Sequence, residues 1–169
     1  MTNNKYSPTV VCGFAAAVLT TIPELKTFGC CLLVPAASLV SLYIYLRLNR
    51  FQSPLLSIDA FKFGLLTGIF IAVFSTFFEI LITYFTRTNE IISMLPQFEL
   101  MLAKFNLGEA ASQTVALLKL MAKEIQHSGF SVIFTFILFF NNLFSDIVFG
   151  IIGGFIGLSI LNKKYFSNI

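Results

Sequence analysis

The sequence predicts an all-α polytopic membrane protein: four transmembrane helices plus an extramembrane amphipathic helical hairpin. Three observations predict it. Hydrophobic residues make up 57% of the 169 residues and charged residues only 11%, where an average soluble domain is roughly 25% charged. Mean hydropathy is +0.87, so the chain lacks the polar surface that would cover a water-soluble core. Four apolar stretches, at about 8–22, 28–46, 61–86 and 130–161, approach or exceed the ~20 residues that cross a hydrocarbon core. Between the third and fourth, over about 89–128, apolar residues recur at helical spacing among polar ones. The length suits one integral-membrane domain, 1–169.

The first stretch, Pro8 to Ile22, is short. At 1.5 Å per residue it covers roughly 22 Å and needs its flanks to cross a core of about 30 Å. A signal peptide would use Lys5 as its basic region and Ala15-Ala16-Ala17 as its cleavage site. Only about seven apolar residues would then precede the cut, at the low limit for such a signal, so the segment is read as a span. A lipoprotein signal ending at Cys30 is interrupted by Glu24 and Lys26. Pro23 and Glu24-Leu25-Lys26 separate the first run from the second and predict a tight antiparallel hairpin.

Pro35 lies inside the second span and predicts a bend, because it removes one backbone donor. Tyr43 and Tyr45 followed by Arg47 and Arg50 mark a membrane interface. In the insert, Ile91, Leu95, Phe98, Leu102 and Phe105 share a helical spacing. Asn106-Leu107-Gly108 reads as a turn, and Ala111, Val115, Leu118, Ala122 and Ile125 resume the spacing until Gly129. Pro96 predicts a kink in the first of these helices, or marks its start. Such a pair lies on the membrane surface or caps a bundle.

Basic residues orient the chain. With both termini cytoplasmic, the inner pieces carry Lys5, Arg47, Arg50, Lys62, Lys163 and Lys164, six in about 31 residues. The outer pieces carry five in about 51, offset by five glutamates. The predicted location is the cell inner (plasma) membrane.

Two stripes stand out within the spans. Gly64, Gly68, Ala72, Ser75, Glu79, Thr83 and Thr86 follow one helical line in the third. Ser131, Thr135, Leu138, Asn142, Asp146, Gly150, Gly153 and Gly157 follow one in the fourth. Gly64/Gly68, Gly150/Gly154 and Gly153/Gly157 are GxxxG pairs, which allow close backbone approach. Aligning Thr86 with Ser131 in antiparallel neighbours sets Gly64 opposite Gly153 and Gly68 beside Gly150.

Glu79 and Asp146 are the two acids deep in a span. Insertion of one near a helix centre costs about 2.5–3.5 kcal/mol. With Asn141 and Asn142 they make a candidate ion or proton site; the alternative is interhelical hydrogen bonding to Ser75, Thr135 and Asn142. Cys12, Cys30 and Cys31 are an odd count without a spaced pair, so no disulfide framework is expected. Cys30-Cys31 reads as two small apolar residues. His127 is the single histidine and sits at a helix end, so no metal site is expected. GxSxG, HExxH and P-loop motifs are missing, and no catalytic residue or cofactor is expected. A net charge of +3, with Lys163-Lys164 as its one cluster, argues against nucleic acid.

The order GFAAAVLTTIPEL…GCCLLVPAASLVSLYIYLR, then DAFKFGLLTGIF and a late FGIIGGFIGLSI, resembles a group of small uncharacterised bacterial four-span membrane proteins. Those share a Gly-rich first hairpin with a Pro and paired cysteines, a Tyr-x-x-x-Arg-like exit and glycine-rich third and fourth spans. The chain departs from them at Ala36-Ala37, where glycines are expected, and in the insert. The resemblance implies a domain of unknown function and carries over no catalytic residue.

The expected function is a structural or accessory membrane protein, not an enzyme, with the lipid bilayer as its surroundings. The glycine stripes admit a homo-oligomer or a partner membrane protein. The alternative is a small oligomeric transporter or channel using Glu79 and Asp146.

Overall fold

A computed structural model describes residues 5–49, 53–105 and 108–166. Arg50 and the Asn106-Leu107 part of the expected turn lie outside the described residues. Every described element is helical: α1 Ser7–Thr20, α2 Pro23–Phe28, a π-turn Gly29–Leu33, α3 Val34–Leu48, α4 Ser57–Thr86, α5 Glu90–Phe105, α6 Gly108–Ser128 and α7 Val132–Phe166. Three helical segments are long and apolar enough to cross a membrane: Cys31–Leu48, Ser57–Thr86 and Val132–Phe166. Ser7–Thr20 is apolar but shorter. The chain divides into two compact units, 1–78 with 139–169, and 79–138. Helices α4 and α7 each run through both.

In the first unit α1 starts at Ser7 and carries Pro8, whose fixed φ suits it, in its first turn. Its buried face is made of small side chains, Thr9, Cys12, Gly13, Ala16 and Ala17. Small residues let a neighbouring backbone approach, and a Cβ on Gly13 would lie 2.7 Å from the Cβ of Phe70. The helix ends where Ile22 turns extended before Pro23, as the residue before a proline tends to.

The connection to α3 is itself helical, a refinement of the expected short link. Pro35 would clash with the carbonyl four residues back in a regular helix. The chain widens into the π-turn just before it, a local adjustment that accommodates the ring.

Helix directions in this unit alternate. Tyr6 meets Phe63 with ring centroids 5.5 Å apart, and Phe14 meets Phe74 at 5.4 Å, so α1 runs parallel to α4. Tyr45 meets Phe63 at 4.7 Å and Ser41 meets Thr67 at 3.2 Å, so α3 runs antiparallel to α4. Gly153 packs on Pro35 and Gly157 on Leu39, which makes α7 parallel to α3.

Leu42, Leu46, Leu55, Ala60, Phe63 and Leu161 form a cluster at one end of the unit, with Tyr6 and Phe166 against it. The first and last described turns of the chain therefore share that end. Large apolar side chains cover the outside: Leu32, Phe144 and Ile152 are 64%, 76% and 45% exposed. Apolar exposure on this scale, on helices of spanning length, suggests a membrane-embedded protein.

In the second unit α4 ends at Arg87, whose φ of +54° breaks the helix. Its backbone N–H donates to the Thr83 carbonyl at 2.8 Å, and its guanidinium Nη1 donates to the His127 carbonyl oxygen. The Asn89 side-chain oxygen accepts from the Ile92 N–H at 3.0 Å and so caps the start of α5. Helix α5 therefore begins at Glu90, with Pro96 inside it.

Met121, Ile125 and Phe134 form the core of this unit, with Ile91, Ile92, Leu118 and Leu138 around them. Lys119 pairs with Glu99 at 2.8 Å across α6 and α5. Gly129 ends α6 at φ +79°. A Cβ there would lie 2.7 Å from the Tyr84 carbonyl oxygen, so both the backbone angle and the close approach call for glycine.

Candidate functional site

The two stripes meet as backbone on backbone within the first unit. A Cβ on Gly64 would lie 2.5 Å from the Gly150 carbonyl oxygen and 2.8 Å from the Ile151 Cα. One on Gly68 would meet the Asp146 carbonyl, and one on Gly154 the Ala60 carbonyl. Such contact is what glycine at four-residue spacing permits.

The trial alignment holds for Gly68, which lies beside Gly150 (a Cβ on Gly150 would come 3.2 Å from the Gly68 Cα), but not for Gly64. Gly64 faces Gly150 and Ile151 where the alignment had set Gly153. Gly153 and Gly157 instead face Pro35 and Leu39 on α3. The single glycine line of α7 therefore serves two neighbours. Successive helical residues differ by 100°, so Gly153 and Gly154 look to different sides.

Of the polar candidates, Asn142 donates to the Thr76 hydroxyl at 3.1 Å. Thr76 is 4% exposed and falls one turn before Glu79 on α4. Asp146 is 8% exposed. Among the described residues its carboxyl receives no hydrogen bond, while its backbone abuts Gly68. Asn141 is exposed and Asn142 half-buried. Glu79 is half-buried and belongs to the second unit. Ser75 and Thr135 bond back to their own helices, to the carbonyls of Ala72 and Ser131.

A further buried polar set went unread in the sequence. Ser38, Ser41 and Thr67 are all fully buried. The Ser41 hydroxyl donates to the Ser38 carbonyl at 2.8 Å and pairs with the Thr67 hydroxyl at 3.2 Å. The Ser38 hydroxyl has no partner among the described residues. The available signal was the spacing of Ser38 and Ser41 and the place of Thr67 beside Gly68.

At the end of the unit that holds the first and last turns, Lys5 bonds Asp59 at 2.9 Å and lies 5.2 Å from the Tyr45 ring centroid. The hydrogen bond to Asp59 raises the Lys5 pKa, against the smaller opposing effect of burial. The Asn162 side chain makes two hydrogen bonds to Leu55, accepting from its N–H and donating to its C=O, each at 2.9 Å. This peptide-like pairing ties the loop before α4 to the end of α7.

Cys12 is buried and Cys31 exposed. Among the described residues no three His, Cys, Asp or Glu side chains gather as a metal site. Comparison of the chain with protein-family models, with curated proteins and with solved structures finds no match.

Proposed function

We propose that the chain is a multi-pass membrane protein with a structural or accessory role and no catalysis of its own. In this reading α1, the segment Cys31–Leu48, α4 and α7 cross the bilayer, and the α5–α6 hairpin stands outside it. Both termini face the cytoplasm from a cell inner (plasma) membrane. The alternating helix directions support four crossings, and the shared end of the first and last turns supports termini on one side. The excess of Lys and Arg at that end supports its being the inner one.

The observation that carries the structural role is the glycine seam. Where Gly64 meets Gly150 and Gly68 meets Asp146, backbone touches backbone. Neither water nor an ion passes between α4 and α7 at that level.

The second reading, a small oligomeric transporter or channel using Glu79 and Asp146, draws on one observation: the buried Asp146 carboxyl has no described partner. Proton and cation flux into proteoliposomes separates the two. The structural reading expects no flux above protein-free vesicles. Flux that disappears in Asp146→Asn or Glu79→Gln, with helicity retained, would replace it with the transporter reading.

A further inference from the structure

We propose that the end of the first unit bearing the chain's first and last described turns is a binding surface for anionic phospholipid headgroups. The proposal rests on the membrane reading above and adds the partner that this end takes. Five cations, Lys5, Arg47, Lys62, Lys163 and Lys164, are all exposed there. They come from four helix ends: the start of α1, the end of α3, the start of α4 and the end of α7. Those ends are held together by the cluster around Leu42, Leu46, Phe63 and Leu161, so the charges share one face.

One acid, Asp59, lies among them, and it is taken by Lys5 at 2.9 Å. Among the described residues no carboxylate pairs with Arg47, Lys62, Lys163 or Lys164. The surface therefore keeps an excess of four positive charges.

The aromatic side chains fix what kind of anion suits it. Tyr6, Tyr43 and Tyr45 pack against the same cluster. Tyr165 lies beside Lys164, whose ammonium is 5.3 Å from its ring centroid. Tyrosines at this level sit among headgroups, with the ring toward the acyl chains and the hydroxyl toward water. Exposed ammonium and guanidinium groups just beyond them meet lipid phosphates, and an anionic leaflet attracts such a cluster. The cations are spread over four helix ends rather than gathered in a buried cradle. That suits several headgroups around a rim better than one free phosphate ion.

The test uses the full chain in neutral detergent, with phosphatidylglycerol and phosphatidylcholine competing for it and retention read by native mass spectrometry. Phosphatidylglycerol should be retained about 10-fold over phosphatidylcholine, and high salt should erase most of the difference. Each cation near the surface contributes at most about 5-fold, so the loss of two is enough to remove a preference of about 10-fold. The Lys163→Gln/Lys164→Gln variant should therefore lose most of the preference. Lys123→Gln, which removes an exposed cation from the second unit, should keep it.

Equal retention of the two lipids by the native chain overturns the proposal. So does a preference that survives Lys163→Gln/Lys164→Gln with Arg47→Gln added, or one lost equally in Lys123→Gln. Loss of the lipid adducts to millimolar inorganic phosphate would assign a free-anion site instead. Failure of the membrane reading looks different: the chain would then stay monodisperse in buffer without detergent.

Discussion

Gly64→Ala puts a methyl group into a seam that has no room for it. Its Cβ would lie 2.5 Å from the Gly150 oxygen, 2.8 Å from the Ile151 Cα and 3.0 Å from the Gly150 carbonyl carbon. All three are backbone atoms, so no side chain can swing aside. A carbon-to-oxygen contact of this kind settles near 3.3 Å or more, which asks α4 and α7 to part by about 0.8 Å. A gap of that size forfeits a quarter to a half of each dispersion contact along the seam. Overpacking costs typically 1–3 kcal/mol, and alanine returns about 1 kcal/mol of helix propensity.

The three backbone contacts place the cost at the upper end, so a net loss of about 2 kcal/mol is expected. Reversible unfolding in mixed micelles of mild detergent and dodecyl sulfate, followed by far-ultraviolet circular dichroism, measures it. Gly29→Ala is the comparison. Its nearest neighbour is the Thr20 Cγ2 at 3.1 Å, the end of a side chain, and a change within about 0.5 kcal/mol is expected. Adding Gly150→Ala to Gly64→Ala should cost less than the two singles combined, because the first methyl already parts the helices. A Gly64→Ala chain as stable as the native one would refute the reasoning.

Two further outcomes follow from the basic end. Asn162→Ala strips both hydrogen bonds from the nearly buried Leu55 backbone; a loss of about 2 kcal/mol is expected, with faster hydrogen exchange at the Leu55 amide, and unchanged exchange would count against the pairing. Asp59→Asn removes the partner of Lys5, whose side chain is 43% exposed, so the cost near pH 8 should be only about 0.5 kcal/mol. Asp59 raises the Lys5 pKa above its ordinary 10.5, so this stabilisation is complete below that pH and lost as pH climbs through the raised value. The difference in unfolding between native and Asp59→Asn should therefore shrink above pH 10.5, and a difference that widens there would contradict it.

The helices were largely legible in the residues. Apolar runs over 28–46, 61–86 and 130–161 reappear as the three segments of spanning length. Ends marked by chain chemistry held as well: Pro23 opens a new helix and Gly129 closes α6. Less legible was the detail of α5 and α3. Pro96 suggested a kink or a helix start, yet the Asn89 side chain caps α5 seven residues earlier and the helix runs on. Pro35 suggested a bend, and the chain answered with a wider turn before it.

The candidate site was harder to read. A line drawn along α7 joined Asp146 to Gly150, Gly153 and Gly157, but the last two face α3. Asn141 and Asn142 were both site candidates; Asn141 is exposed, and Asn142 bonds Thr76, a residue off the α4 line.

The cause is physical. Transfer of a segment into a bilayer is close to a sum over its residues, so composition and length carry it without knowledge of any neighbour. The face that one helix shows another is not such a sum. Lipid tails are as apolar as leucine, so no hydrophobic gradient turns a helix toward its partner. Contact is settled where small residues on two helices coincide in depth and in angle. That coincidence set Gly64 on Gly150 and Gly153 on Pro35, and it exists only once all four helices stand side by side.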